Sequence, residues 1–245
     1  MLPQIRTEVR KIATIRSPWL LLAAGPVIVV AGVTGLVAAG GNVHDPAVQN
    51  QALAHVGPAA VFTLMFGILA VAGEYRHGTI TDTFLSFPRR GGVIGAKLAV
   101  YGLTGAAAGL VSAAAALAAT AAWWAAKGGA IHLPAHGSWL TLAGGVAANC
   151  AFAVIGVGLG ALIRNVAGAI ALALAWIALI EGIAGQLLGG LARWLPFYAS
   201  EALDRSGIPA AARLLPQWGG GLVLLGYAAA FAAAAVLVTL RRDVT

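Results

Sequence analysis

The chain has 245 residues, 60% of them hydrophobic and only 9% charged, with a net charge of +7. A soluble domain carries about a quarter charged residues, so this composition excludes an ordinary water-facing globule and points to lipid as solvent. The basic residues lie between apolar runs rather than on one surface, which argues against nucleic acid as a partner.

Residues 3–17 read as an amphipathic helix within a leading segment, 1–18. Ile5, Val9 and Ile12 share a face, flanked by Arg6, Arg10, Lys11 and Arg16. Such a helix lies in the headgroup layer. The apolar run that follows exceeds the ~7–15 residues of a signal-peptide core, so it is kept as a membrane span. A span needs about 20 apolar residues. Six segments qualify, at about 19–39, 56–73, 98–126, 139–163, 166–190 and 219–240. The fourth and fifth are separated only by Arg164-Asn165. As one helix they would reach about 75 Å, so the chain must reverse there. The expected fold is an all-α membrane protein, a single domain over 1–245.

Orientation follows the positive residues. With both termini cytoplasmic, eleven Lys and Arg lie inside (Arg6, Arg10, Lys11, Arg16, Arg76, Arg89, Arg90, Lys97, Arg164, Arg241, Arg242). Four lie outside (Lys127, Arg193, Arg205, Arg213). Trp19 and Tyr75 mark inner boundaries; Trp123, Trp124, Trp139 and Trp218 mark outer ones. Gly105/Gly109, Gly156/Gly160 and Gly185/Gly189 have the spacing of close helix contacts, which chance also produces in a chain with 33 glycines.

Between spans two and three lies a charged island, Glu74 to Arg90. Gly78 permits a sharp turn. Thr79 and Asp82 resemble a capping box. A short helix then runs from Ile80 to about Phe87 and stops at Pro88. Ile80, Phe84 and Phe87 fall on one side of it. After span five, Ser200 is expected to cap one short outer helix and Pro209 to start another. Within the spans, Glu181, Gln186 and Asn149 are the polar residues that would line a substrate route, or, in the plainer reading of Glu181, reach water or tie helices together.

Other chemistry is missing from the pattern. His132 and His136 are split by Pro134, and neither they nor His44 and His55 have a third ligand nearby, so no metal is expected. Cys150 stands alone. Gly91-Gly-Val-Ile-Gly-Ala-Lys97 fails as a phosphate loop, because Ala96 intervenes and Leu98 follows. No enzyme site or cofactor is expected in this chain.

These pieces resemble the permease subunit of a bacterial ABC-2-type ABC transporter. Glu74, Gly78, Thr79, Leu85, Pro88 and Arg89 of the island carry the resemblance, with Gly158-Leu-Gly-Ala-Leu-Ile-Arg-Asn165 at the end of span four and the Arg-Arg-Asp tail. It implies a cytoplasmic coupling helix at about 79–88, the wider loop contributing Glu74, Arg76, Gly78, Thr79, Asp82, Phe84, Phe87, Pro88 and Arg89. Arg164 and Asn165 make a second, smaller contact. The implied partners are a separate ATPase subunit that binds ATP and Mg, and a second permease copy. The implied setting is the bacterial cell membrane and the implied direction is export. The alternatives are an ion-coupled secondary transporter and a non-transporting sensor or immunity protein.

Overall fold

The computed structural model describes residues 2–14, 16–131, 136–206 and 214–241. Among them are helices and turns and no strand. The elements are α1 (Leu2–Thr14), α2 (Arg16–Ala38), α3 (Pro46–Ala54), α4 (Ala60–Arg76), α5 (Thr79–Ser86), α6 (Arg90–Ala126), α7 (His136–Ile163), α8 (Val166–Ala175), α9 (Gly182–Leu187), α10 (Pro196–Asp204) and α11 (Gln217–Arg241). Six stretches are long and apolar enough to cross a membrane: Pro18–Ala38, Pro46–Arg76, Arg90–Ala126, Gly137–Ile163, Val166–Leu187 and Gln217–Leu240. This is the pattern of a multi-pass membrane protein.

Two of these stretches start earlier than hydropathy alone predicts. The second includes α3, whose N-cap is Asp45 accepting from the Ala47 N–H, with Pro46 opening the helix. A 3-10 turn at Gly57–Ala59 joins it to α4, as expected where Pro58 withholds an N–H. The third starts at Arg90, so α6 runs 37 residues and carries Lys97 one turn or more inside its own beginning. The fifth is not uniform. A π-helical segment, Trp176–Glu181, separates α8 from α9, and a 3-10 turn, Gly189–Trp194, follows.

The bundle is organised around α4 and α7. Of the apolar stretches, those through α4 and α7 are 67% and 56% buried, while those through α8–α9 and α11 are 22% and 17% buried. The latter two therefore form the periphery, and Leu179, Ile183, Leu222 and Leu225 stand exposed there. A face of that kind is unsuited to water. Glycine lets α4 and α7 approach backbone to backbone. A Cβ on Gly156 would collide with the Leu64 carbonyl oxygen, and one on Gly67 with the Ala153 carbonyl oxygen. Gly105 and Gly109 give α6 the same closeness to α7, at Asn149 and Val146. Two of the three glycine pairs thus mark crossings. The third does not: Gly185 faces the Tyr198 hydroxyl, and nothing lies near Gly189.

The short helix after span five also differs from expectation. It starts at Pro196, with Leu195 as N-cap, and Ser200 is buried inside it. Pro at the first helical position sets the start instead. The helix ends at Arg205, in the left-handed region at φ 59°. Pro209 and the helix expected from it lie outside the described residues. Trp124 is a core residue at 1% exposure rather than a boundary marker, whereas Trp139 and Trp218 are exposed. At the other end of the bundle, Gly91 approaches Val236 and Leu240, so the end of α11 lies beside the start of α6.

Candidate functional site

The island, α1 and the Arg164-Asn165 turn meet at one end of the bundle. Gly78 adopts φ 68° and caps α5 without a side-chain hydrogen bond. The capping box expected from Thr79 and Asp82 is not formed, because Thr79 is already the first helical residue. Its carbonyl instead accepts from the Thr83 hydroxyl at 3.1 Å. The helix stops at Ser86, one residue before the expected end. Ile80 and Phe84 are buried against Val93, with Tyr75 and Phe87 packed around them. The Arg90 guanidinium lies 5.4 Å from the centre of the Phe84 ring. The apolar stripe is thus turned toward the bundle. The opposite face presents Arg76, Thr79, Asp82, Leu85, Pro88 and Arg89 to the exterior, and Leu85 is 76% exposed.

The Arg164-Asn165 turn sits beside the island. Arg164 is left-handed at φ 55°, uncommon for a residue with a Cβ. Its guanidinium stacks 4.8 Å from the centre of the Tyr75 ring. Asn165 caps α8, accepting from the Gly168 N–H at 2.8 Å. The reversal expected between spans four and five is therefore a two-residue turn.

Beneath the island lies a buried charge cluster. The Lys97 ammonium, from α6, is fully buried. It donates to Glu8 Oε2 at 2.9 Å, to Glu74 Oε1 at 2.6 Å and to the Ala70 carbonyl at 2.9 Å. Lys11 donates to Glu8 Oε1 at 2.9 Å and to the same Glu74 oxygen at 2.6 Å, and lies 3.4 Å from the Thr83 hydroxyl. Two ammoniums face two carboxylates, so the cluster is neutral as a whole. Neutrality and close geometry are what allow buried charges to persist. Burial alone would lower the Lys11 pKa, but the Glu74 hydrogen bond and the charges of Glu8 and Glu74 outweigh it and hold it above the usual lysine value. The cluster joins α1, α4 and α6 and touches α5. Trp19 adds a further tie by donating to the Ile12 carbonyl at 2.8 Å, which fastens α2 to α1.

Of the cluster, sequence reading singled out Glu74 only. Lys11 and Lys97 count there as topology markers, and Glu8 draws no attention. The available signals were a lone lysine inside the apolar run of α6 and a carboxylate on the Ile5–Ile12 face of an otherwise basic helix.

Asn149, Glu181 and Gln186 are not brought together. Asn149 donates to the Val56 carbonyl at 3.2 Å and the Gly145 carbonyl at 2.8 Å, locking α7 to the turn before α4. Gln186 is exposed near the end of α9. Glu181 is 2% exposed. It accepts from Trp176 Nε1 at 3.0 Å and from the Phe197 and Tyr198 N–H groups at 2.9 and 3.3 Å. Those two amides begin α10, so Glu181 caps that helix from another element, where a carboxylate also meets the positive end of the helix dipole. Glu181→Leu is expected to speed amide hydrogen exchange over 197–204, at least tenfold for a loss of about 1.4 kcal/mol or more. Unchanged exchange there would remove the capping role.

Glu181 also borders an apolar cavity of about 280 Å³ between α4, α7, α8 and α11, lined by Phe152, Trp176, Tyr227 and Phe231. Near the same end of the bundle, Asp204 is pushed up to about 7 by burial, and burial raises Glu201 as well. Both border a smaller cavity with His55 and Gln51. Among the described residues no group of three His, Cys, Asp or Glu is placed to hold a metal ion. Neither a family model nor a curated protein matches the chain.

Proposed function

We propose that the chain is the membrane-spanning subunit of an ATP-driven ABC exporter of the ABC-2 type, working with a separate ATPase subunit that binds ATP and Mg. In this reading both termini and the island face the cytoplasm of a bacterial cell, and a second permease copy completes the transporter. The observation that carries the reading is the two-sidedness of α5. Its Ile80–Phe84 face is seated on the bundle, while Leu85 stands out on the other side between Asp82 and Arg89. An exposed leucine with a polar rim is suited to a protein contact. The second support is mechanical. A push on α5 reaches α1, α4 and α6 through the contact of Thr83 with Lys11 and the Lys11–Glu74–Lys97–Glu8 cluster. ATP-driven closure of the partner then favours one of two helix packings.

Docking in this reading falls to Asp82, Leu85 and Arg89, with Arg76, Thr79 and Pro88 beside them. Phe84 and Phe87 act by seating the helix. Leu85→Asp is expected to abolish co-purification of the ATPase in mild detergent while leaving the melting temperature of the permease unchanged. Phe84→Asp is expected to lower both. Full ATPase recovery with Leu85→Asp would remove the coupling assignment. The ion-coupled alternative needs a carboxylate free to load and release a cation, and Glu181 is held by three N–H donors.

A further inference from the structure

An open groove of about 530 Å³ runs between α1, α2 and α6, on the island end of the bundle. Ile5 and Val9 of α1, Trp19 and Pro26 of α2, and Val100 and Leu103 of α6 line it. The polar atoms of its walls are already engaged. The Trp19 indole N–H donates to the Ile12 carbonyl at 2.8 Å, and the Thr104 hydroxyl to the Val100 carbonyl at 2.8 Å. The groove therefore offers no hydrogen bond to an occupant, and only a hydrocarbon matches it.

The rim differs. On α1, Glu8 and Lys11 are consumed by the buried cluster. Arg6 and Arg10 remain, both exposed, one helical turn apart and each next in sequence to a groove residue. Two exposed guanidiniums on the helix that forms one wall of an apolar slot complement an anion with an acyl tail, and a guanidinium pairs with a phosphate through two parallel hydrogen bonds.

We propose that this groove is a binding site for an anionic phospholipid, with one acyl chain between α1, α2 and α6 and its phosphate paired with Arg6 and Arg10. The site rests on α1 lying in a headgroup layer and not on the transport reading, so either can fail without the other. Occupancy would hold α1 against α2 and α6.

The test uses the full chain in bilayers containing dibrominated lipid, whose bromines quench nearby tryptophan. Subtracting the signal of Trp19→Phe isolates Trp19 from the other six tryptophans. Dibrominated phosphatidylglycerol at low mole fraction is expected to quench Trp19 several-fold more than dibrominated phosphatidylcholine, since each basic residue near an anionic surface contributes roughly a fivefold preference. Arg6→Gln with Arg10→Gln is expected to abolish that difference without changing quenching by the phosphatidylcholine or the melting temperature. Equal quenching by the two lipids in the unaltered protein would overturn the proposal. So would a preference that survives loss of both arginines, or stronger quenching by a brominated free fatty acid than by the phosphatidylglycerol.

Discussion

Lys97→Met is expected to lower the stability of the detergent-solubilised protein by about 3–5 kcal/mol, the usual result of removing one partner from a buried ion pair. The ammonium is fully buried and bridges Glu8 and Glu74. Without it, two carboxylates compete for Lys11 alone, and the Ala70 carbonyl loses its side-chain donor. The penalty comes from the charge left behind rather than from lost packing, so Glu8→Gln in the same chain is expected to restore part of it. The thermal unfolding midpoint of the single and double variants checks this. A double variant that melts lower than Lys97→Met, by the sum of two independent effects, would mean that Glu8 and Lys97 do not act as a pair. Within the proposed transporter the same variant has a second consequence. The island stays seated on Val93 by Ile80 and Phe84 but loses the ionic link between Glu74 and α6, so the ATPase is expected to remain bound while hydrolysis becomes uncoupled from transport.

Gly156→Val is the other large effect expected. The α4–α7 crossing places the Gly156 Cα 3.0 Å from a Cβ built on Gly67, with the Leu64 carbonyl against Gly156 itself. Overpacking a core generally costs about 1–3 kcal/mol. Here the obstacle is backbone, which has no rotamer to change, so the loss is expected at the top of that range. Because α4 leads directly into Glu74 and the island, separating α4 from α7 is also expected to loosen the charge cluster. The control is Gly226→Ala on α11, where nothing lies within 4 Å. Helix propensity there favours alanine by roughly 1 kcal/mol. Measured melting midpoints should fall for the first and hold or rise for the second. Equal behaviour of the two would contradict the close crossing.

The features that sequence made legible are those set by local rules. Run length and hydropathy gave six spans. A helix too long for any bilayer gave the reversal at Arg164-Asn165. Gly78 and Pro88 bracketed α5, and the Ile80–Phe84 spacing gave its apolar side. What remained hidden depends on contacts between distant parts of the chain. The Glu8–Lys97 pair spans 89 positions, and the local signals at Lys97 and at Glu8 do not say that the two meet. Glu181 was visible as an expensive carboxylate, but its partners are the first amides of a helix 16 residues on. Ser200 drew attention as a helix cap through its residue type, while the true start was fixed by Pro196 and by Glu181 acting from outside the helix. Glycine spacing found the crossings at Gly105/Gly109 and Gly156/Gly160, yet equal spacing at Gly185/Gly189 means something else, because those residues straddle a helix end.

Coupling to a cytoplasmic ATPase requires the island, α1 and the Arg164 turn to lie on the cytoplasmic side of the membrane. With Cys150→Ala as background, Ser86→Cys places a thiol on the exposed end of α5, and Ser206→Cys places one just past α10. A membrane-impermeant maleimide applied to intact cells is expected to label the Ser206→Cys protein at once, and the Ser86→Cys protein only after the cells are opened. Labelling of the Ser86→Cys protein in intact cells would put the island outside, beyond the reach of any cytoplasmic ATPase.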